Sequence, residues 1–218
     1  MIVTIDGPAG AGKSRAARDL AKSLGFHFLD TGAMYRAVTL KAFRQDIDWA
    51  DSESIAEIAK KVDLKLTDDQ VFVDGEDVTD AIRTFEITTH TRHAADNLEV
   101  RNRLIELQRE IGSRQDLVTE GRDQATVVFP EAECKIFLTA SDEVRAQRRF
   151  DDLLSRGEQV SLEEVLKKQQ ERDKRDIERE YGGLRKAADS IEICTDELGP
   201  EEVVTELEKL VRERQQSL

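Results

Sequence analysis

The sequence predicts an α/β fold: a doubly wound, five-stranded parallel sheet flanked by helices, with a small hairpin-containing insertion. Three observations carry this reading. A β-branched run, Ile2-Val3-Thr4-Ile5, leads into a glycine-rich turn from Gly7 to Ser14 and then into a helical period. Five short runs of strand character recur along the 218 residues, separated by stretches with the 3.6-residue period of amphipathic helices. Thr31, Gly121-Arg122-Asp123 and the glycine turn itself all fall just past the ends of such runs, where open parallel sheets bind ligands.

Each element has a local cause. From Lys13, the residues Ala16, Ala17, Leu20, Ala21 and Leu24 repeat at helical spacing, and Gly25 supplies a C′ stop. Phe26-His27-Phe28-Leu29 reads as the second strand, ending at Asp30-Thr31-Gly32, with a helix from Ala33 to Arg44 behind it. Glu53 to Val62 repeats Ile55, Ile58, Ala59 and Val62 on one face. The period then changes. Leu64 and Leu66, then Val71 and Val73, flank Thr67-Asp68-Asp69-Gln70 as a hairpin, and Asp74-Gly75 makes a second tight turn before Glu76-Asp77-Val78. Such a hairpin breaks a βα repeat, so it is an insertion. Val100, Leu104, Leu107 and Ile111 mark a helix over 98–111.

Leu117-Val118-Thr119-Glu120 and Lys135-Ile136-Phe137-Leu138 are the third and fourth strands. Ser141 caps a helix reaching Ser155, which Arg156-Gly157 breaks. Ser161 and Glu164 form a capping box for a long helix to Arg179. Ser190 to Cys194 is the fifth strand, and Pro200 opens a last helix that buries Val203, Val204, Leu207, Leu210 and Val211.

Composition narrows the function. A net charge of −13 argues against a nucleic-acid surface. No apolar stretch approaches the ~20 residues that span a bilayer, and no basic-then-apolar leader is present, so a cytoplasmic protein without a membrane partner is expected. Cys134 and Cys194 match no metal spacing and read as two reduced, buried thiols. His27, His90 and His93 also lack metal spacing and read as structural or exposed.

The spacing Gly7-Pro8-Ala9-Gly10-Ala11-Gly12-Lys13-Ser14 is G-x-x-x-x-G-K-[ST], set between a strand and a helix. Main-chain N–H groups and the positive end of the helix dipole converge there on a nucleoside triphosphate. Lys13 reaches the outer phosphates, and the Ser14 hydroxyl suits Mg²⁺. An acidic chain that handles phosphates must gather its arginines locally. Asp30-Thr31-Gly32 leads to Arg36, Glu120-Gly121 leads to Arg122-Asp123, and Arg172, Arg175 and Arg179 share one helical face at i, i+3 and i+7, with Asp176 beside them. The alternative for that last group is a solvated, ion-paired helix surface. Glu163-Glu164 and Lys167-Lys168 read as plain solvent face.

These motifs together resemble the bacterial cytidylate kinases. The likeness runs from Thr4-Ile5-Asp6-Gly7-Pro8 through Leu29 to Arg36, Gly75-Glu76-Asp77-Val78 and Ile82-Arg83-Thr84. It continues through Glu120 to Asp123, Thr126 to Pro130, Lys135 to Leu138, and Arg172 to Asp176. The resemblance implies a single kinase domain of the nucleoside monophosphate kinase-like P-loop class. Its core would be residues 1–30, 112–148 and 180–218, with a monophosphate-binding insertion over 31–111 and a helical lid over 149–179. It implies transfer of the γ-phosphoryl group of ATP, with Mg²⁺, to CMP or dCMP. ATP would lie on residues 7–14 and on Arg15. Thr31, Arg36, Arg122 and Arg179 match positions that hold the phosphate of CMP, and Arg101 and Asp123 match positions that read cytosine. Arg172 and Asp176 match positions near the pentose, while Arg148, Arg149 and Arg156 match the surroundings of the lid. Lys13, Arg122 and Arg179 would carry the catalysis, Ser14 would hold the metal, and Glu120 would hold a metal-bound water. The chain is expected to act as a monomer. It departs from the family pattern at Arg92, at Ala94-Ala95-Asp96-Asn97, at Ile177 and at Gly183-Leu184.

Two other readings stay open at this level. One is a small P-loop kinase acting on UMP, AMP or a small alcohol such as shikimate. The other is a nucleotide-switched binding protein, although the chain lacks the [NT]-K-x-D segment by which guanine-reading switches are usually known.

Overall fold

The computed structural model describes residues 1–155 and 157–217. The central five-stranded parallel sheet has the order β2-β6-β1-β7-β8, with β2 at His27–Asp30, and a three-stranded antiparallel sheet accompanies it. The chain forms two compact units, Met1–Phe26 with Val118–Leu218, and His27–Leu117.

In the first unit, β1 (Ile2–Asp6) lies parallel to β7 (Cys134–Thr139), with Asp6 opposite Phe137. On its other side β7 pairs with β8 (Ile191–Cys194), Ile136 opposite Ile191. The strand β6 (Leu117–Gly121) is buried along its whole length. Val3, Ile5, Val118, Ile136 and Leu138 are sealed from solvent, as the apolar runs require of a sheet covered on both faces. Helix α1 (Lys13–Leu24) buries Ala16, Ala17, Leu20 and Ala21 and ends at Gly25, whose φ of 70° is the left-handed stop expected of it. Helix α8 (Pro200–Gln215) buries Val203, Leu207 and Val211, with Pro200 in its first turn. Helices α6 (Asp142–Ser155) and α7 (Leu162–Glu178) share a small core of Ala146, Leu153 and Val165. Ser161 and Glu164 close the expected capping box, and Ser141 Oγ accepts from Val144 N–H at 3.4 Å. One thiol departs from expectation. Cys134 is buried, but Cys194 is exposed, because β8 is an edge strand whose alternate side chains face water.

In the second unit, α2 (Thr31–Arg44) starts two residues earlier than its apolar pattern suggests. The Asp30 carboxylate accepts from Ala33 N–H at 2.8 Å, which makes Thr31 the first helical residue. Helix α3 (Ser52–Lys61) is capped in the same way by Asp51. Strands β3 (Leu64–Leu66), β4 (Val71–Val73) and β5 (Glu76–Asp77) form the small antiparallel sheet. Asp74 and Gly75, at φ of 52° and 85°, make the left-handed two-residue turn between β4 and β5. The predicted hairpin is thus three-stranded. Helix α4 (Phe85–Ala95) was not legible, since it buries only Ile87 and Ala94 and has no apolar stripe to announce it. Helix α5 (Leu98–Gly112) buries Val100, Leu104 and Ile105 together with Arg101 and Gln108. Trp49 stacks on His90 at 4.5 Å and on His93 at 5.4 Å between ring centroids. Among the described residues, no helix is long and apolar enough to cross a membrane.

Candidate active site

The glycine loop is shaped by close approach as much as by torsion. A Cβ at Gly7 would sit 1.9 Å from the Leu138 carbonyl oxygen, so the loop can leave β1 beside β7 only with glycine there. Gly12, at φ 88°, is the left-handed N-cap of α1. It delivers Lys13 into the interior, where its Nζ donates to the Pro8 carbonyl at 2.8 Å. Burial pushes the Lys13 ammonium down to about 7. The charges of Arg122 and Arg172 push the same way, against Glu120 and Asp6. Ser14 Oγ donates to Glu120 Oε1 at 2.7 Å, so this hydroxyl faces a carboxylate. Arg15 is exposed and lies 3.7 Å from Asp19.

Next to this loop, β6 ends in Glu120 and Gly121 and hands over to Arg122 and Asp123. Asp123 is buried. Its backbone marks the start of a five-residue π-turn, Gln124–Val128. The Asp6 carboxylate accepts the N–H of Gln124 at 2.9 Å and of Ala125 at 2.7 Å. Burial raises the Asp6 carboxyl to about 7 in spite of these two bonds. Arg122 Nε donates to Asp176 Oδ2 at 2.9 Å, and Arg179 Nη2 donates to Asp176 Oδ1 at 3.0 Å. Burial works to raise the Asp176 carboxyl, but the charges of Arg122, Arg172 and Arg179 outweigh it and hold the group below its usual range.

The arginines expected to share one face of α7 lie outside its buried stripe. That stripe is Val165, Gln169, Asp173 and Asp176, while Arg172 and Arg175 are exposed and Arg179 stands just past the helix end. Desolvation is the reason: the shorter carboxylates go inside because each finds an arginine, Asp173 with Arg145 and Asp176 with Arg122 and Arg179. Arg175 bonds the Glu171 carbonyl on its own helix and joins no cluster.

The other site residues lie in the His27–Leu117 unit. Thr31 is buried at the start of α2. Arg36, one turn on, donates from Nη2 to Asp30 Oδ2 at 3.0 Å, while its Nε is buried with no hydrogen bond among the described residues. Arg101 is buried on the inner face of α5, donates to the Ala95 carbonyl at 3.1 Å, and sets its guanidinium 5.6 Å from the centroid of the Tyr35 ring. Tyr35 is thus part of the group, although only its place beside Thr31 and Arg36 marked it.

Sequence reasoning missed one further arginine. Arg145 is buried, ties the Ala9 carbonyl of the glycine loop to Asp142 and Asp173, and donates to the Ala140 carbonyl at 3.0 Å. Arg148, expected among the surroundings of a lid, donates to Thr195 Oγ1 at 3.0 Å and to the Thr195 carbonyl at 2.6 Å. It borders a cavity of about 280 Å³ whose wall includes Gly12, Arg15, Thr195, Leu198 and Pro200. Arg149 pairs with Asp152 on the surface, and Arg156 lies outside the described residues.

Comparison with known proteins fits this arrangement. The sequence model of the cytidylate kinase family matches residues 3–213. The chain belongs to the cytidylate kinase family. A cytidylate kinase of Rhodopirellula baltica is 52% identical over 213 residues, covering 98% of this chain and 93% of that one. The cytidylate kinase of Bacillus subtilis is 43% identical, with 97% and 96% covered. Among solved structures, TT1252 from Thermus thermophilus superposes with a TM-score of 0.50 at 19% identity, over 98% of this chain and 97% of that one. An uncharacterized protein from Eubacterium ventriosum reaches 0.53 at 14% identity, over 99% and 98%. These two share the fold of this cytidylate kinase family member.

Proposed function

We propose that the protein transfers the γ-phosphoryl group of ATP to CMP or dCMP, giving ADP and CDP or dCDP. The observation that carries this is the joining, within one unit, of a glycine loop with a buried lysine to a cluster in which Asp176 holds Arg122 and Arg179. Such a reaction asks little covalent chemistry of a protein. It needs the acceptor oxygen aligned with the γ-phosphorus, and donors for the charge that spreads over the transferred group. The acceptor oxygen belongs to an anionic phosphate, so its lone pair forms the new P–O bond without a general base. The bond to the bridging oxygen breaks, and ADP leaves with the electron pair.

On the donor side, the loop amides and Lys13 hold the β- and γ-phosphates, and an anion there restores the lysine's proton. The cavity beside Arg148 and Thr195 takes the donor base. Ser14 Oγ and Glu120, 2.7 Å apart, are the hard oxygen pair that suits Mg²⁺, Ser14 as ligand and Glu120 toward a bound water. When bound, the ion neutralises phosphate charge. Arg122 and Arg179 meet the transferred group, with Arg172 and Asp176 at the pentose. Asp123 accepts from the exocyclic amine of cytosine, and Arg101 donates to the ring nitrogen and carbonyl. Thr31 and Arg36 hold the acceptor phosphate. The His27–Leu117 unit is the monophosphate-binding part, and α7 with its approach is the lid, which excludes water from the reaction. The protein works as a monomer in the cytoplasm, with no nucleic-acid or membrane partner.

The test is a coupled ADP-release assay with ATP, Mg²⁺ and a panel of CMP, dCMP, UMP, AMP and shikimate. Rapid turnover with CMP and dCMP is expected. Turnover confined to another acceptor, or slow hydrolysis indifferent to all of them, would sink the proposal.

A further inference from the structure

We infer that Asp6 is a positioning residue for the acceptor, fixing the Arg122-Asp123 segment through its bonds to the amides of Gln124 and Ala125. This rests on the reading of Arg122 and Asp123 as CMP-binding residues. Asp6 is the last residue of β1, and the glycine loop begins at the next position. Asp6 is only 1% exposed. Its two oxygens accept the two N–H groups that directly follow Asp123. A π-turn leaves its first amides without partners inside the turn, and a buried amide without a partner is costly. A carboxylate answers both at once and so sets where the chain turns after Asp123. Thr119 Oγ1, which donates to Gln124 Oε1 at 3.0 Å, holds the same residue from the strand behind it.

The arrangement has a further consequence. Asp6 belongs to the strand that feeds the donor loop, whereas the amides belong to the segment that reads the acceptor. One side chain therefore registers the two against each other. The charged groups around the carboxylate are Lys13 and Asp123, both on the reaction side. Among the described residues no cation forms an ion pair with Asp6, and its oxygens face the two amides.

The experiment is Asp6→Asn, which keeps the shape but sets an NH₂ group against one of the two N–H donors. KM for CMP should rise about tenfold and kcat should fall by a similar factor, the equivalent of one charge-assisted hydrogen bond. Binding of a fluorescent ATP analogue should be unchanged. A merely structural role would instead lower the melting temperature and the active fraction while leaving KM for CMP alone, and that result overturns the inference. So does an equal loss of ATP affinity. If Asp6→Asn does not fold, the Ala125 amide can be replaced by an ester, with lactic acid at that position. This deletes one donor and leaves the carboxylate intact. A rise in KM for CMP supports the inference, and an unchanged KM overturns it. Wild-type protein that phosphorylates no CMP would remove the underlying reading and this inference together, whereas normal wild-type turnover with unaffected variants removes the inference alone.

Discussion

At the glycine loop of the unit built from Met1–Phe26 and Val118–Leu218, the main chain decides where the buried lysine stands. Gly7 can approach Leu138 because it lacks a side chain, Gly12 turns left-handed into α1, and Lys13 is delivered to a fixed carbonyl at Pro8. The His27–Leu117 unit works from side chains. Arg36 hangs on the Asp30 carboxylate that also caps its helix, and Arg101 lies over the Tyr35 ring. A site set by backbone tolerates little exchange and leaves a fixed spacing in the sequence. A site set by side chains can be assembled from residues far apart in the chain, each unremarked by itself.

The largest test of this contrast is Lys13→Met, which keeps the buried stem and deletes the charge. Turnover should fall about 10²- to 10³-fold, the cost of one donor to the transition state, with no loss of melting temperature. Steady-state kinetics beside a thermal melt decides it, and undiminished turnover would break the assignment. Arg101→Met, in the other unit, should raise KM for CMP by one to two orders of magnitude and leave KM for ATP alone, as expected when a charged donor to a base is lost. An equal change in both constants would mean that Arg101 does not act on the acceptor alone. Asp123→Ala should shrink the CMP-to-UMP preference by about tenfold, measured as a ratio of kcat/KM.

A smaller effect follows from pH. The Lys13 ammonium is pushed down to about 7, so in the empty site it is largely neutral above that value. A bound triphosphate raises it again. ATP binding near pH 8 should therefore take up part of a proton, and affinity should fall as pH climbs from about 7 and stay flat below it. Titration calorimetry in buffers of different ionisation heat measures the uptake. The smallest expected change is in stability. Asp176 is held below its ordinary 3.8, so its ion pairs contribute above that pH, and the contribution is lost as pH falls through the depressed native value. Asp176→Asn should cost about 1 to 2 kcal/mol at neutral pH, with the gap to wild type closing in acid.

The same contrast explains what could be read from sequence. The five strands, α1 and the caps at Ser141, Ser161 and Pro200 were legible because strand runs, glycine spacing and capping residues act locally. So were the turn at Asp74-Gly75 and the phosphate loop. Helix α4 was not, since its turns present threonines and histidines to its surroundings and little apolar surface. On α7 the spacing marked which arginines share a face but not that Asp173 and Asp176 are the charges that go inside, because pairing, which a helical wheel does not show, decides which charge is buried. Arg145 was opaque for a related reason: two of its partners, the carbonyl of Ala9 and the Asp173 carboxylate, lie distant in the chain.

The ring stack at Trp49 gives the molecule an optical handle. It holds the sole indole in the chain, and both imidazoles it touches sit in the same unit. A protonated imidazole quenches the emission of an indole against it. Burial, helped by the charge of Arg92, holds the His93 imidazole below its usual 6.5, so quenching by that ring sets in only below this value. Indole emission, excited apart from the two tyrosines, thus reports from the His27–Leu117 region alone, with no label attached.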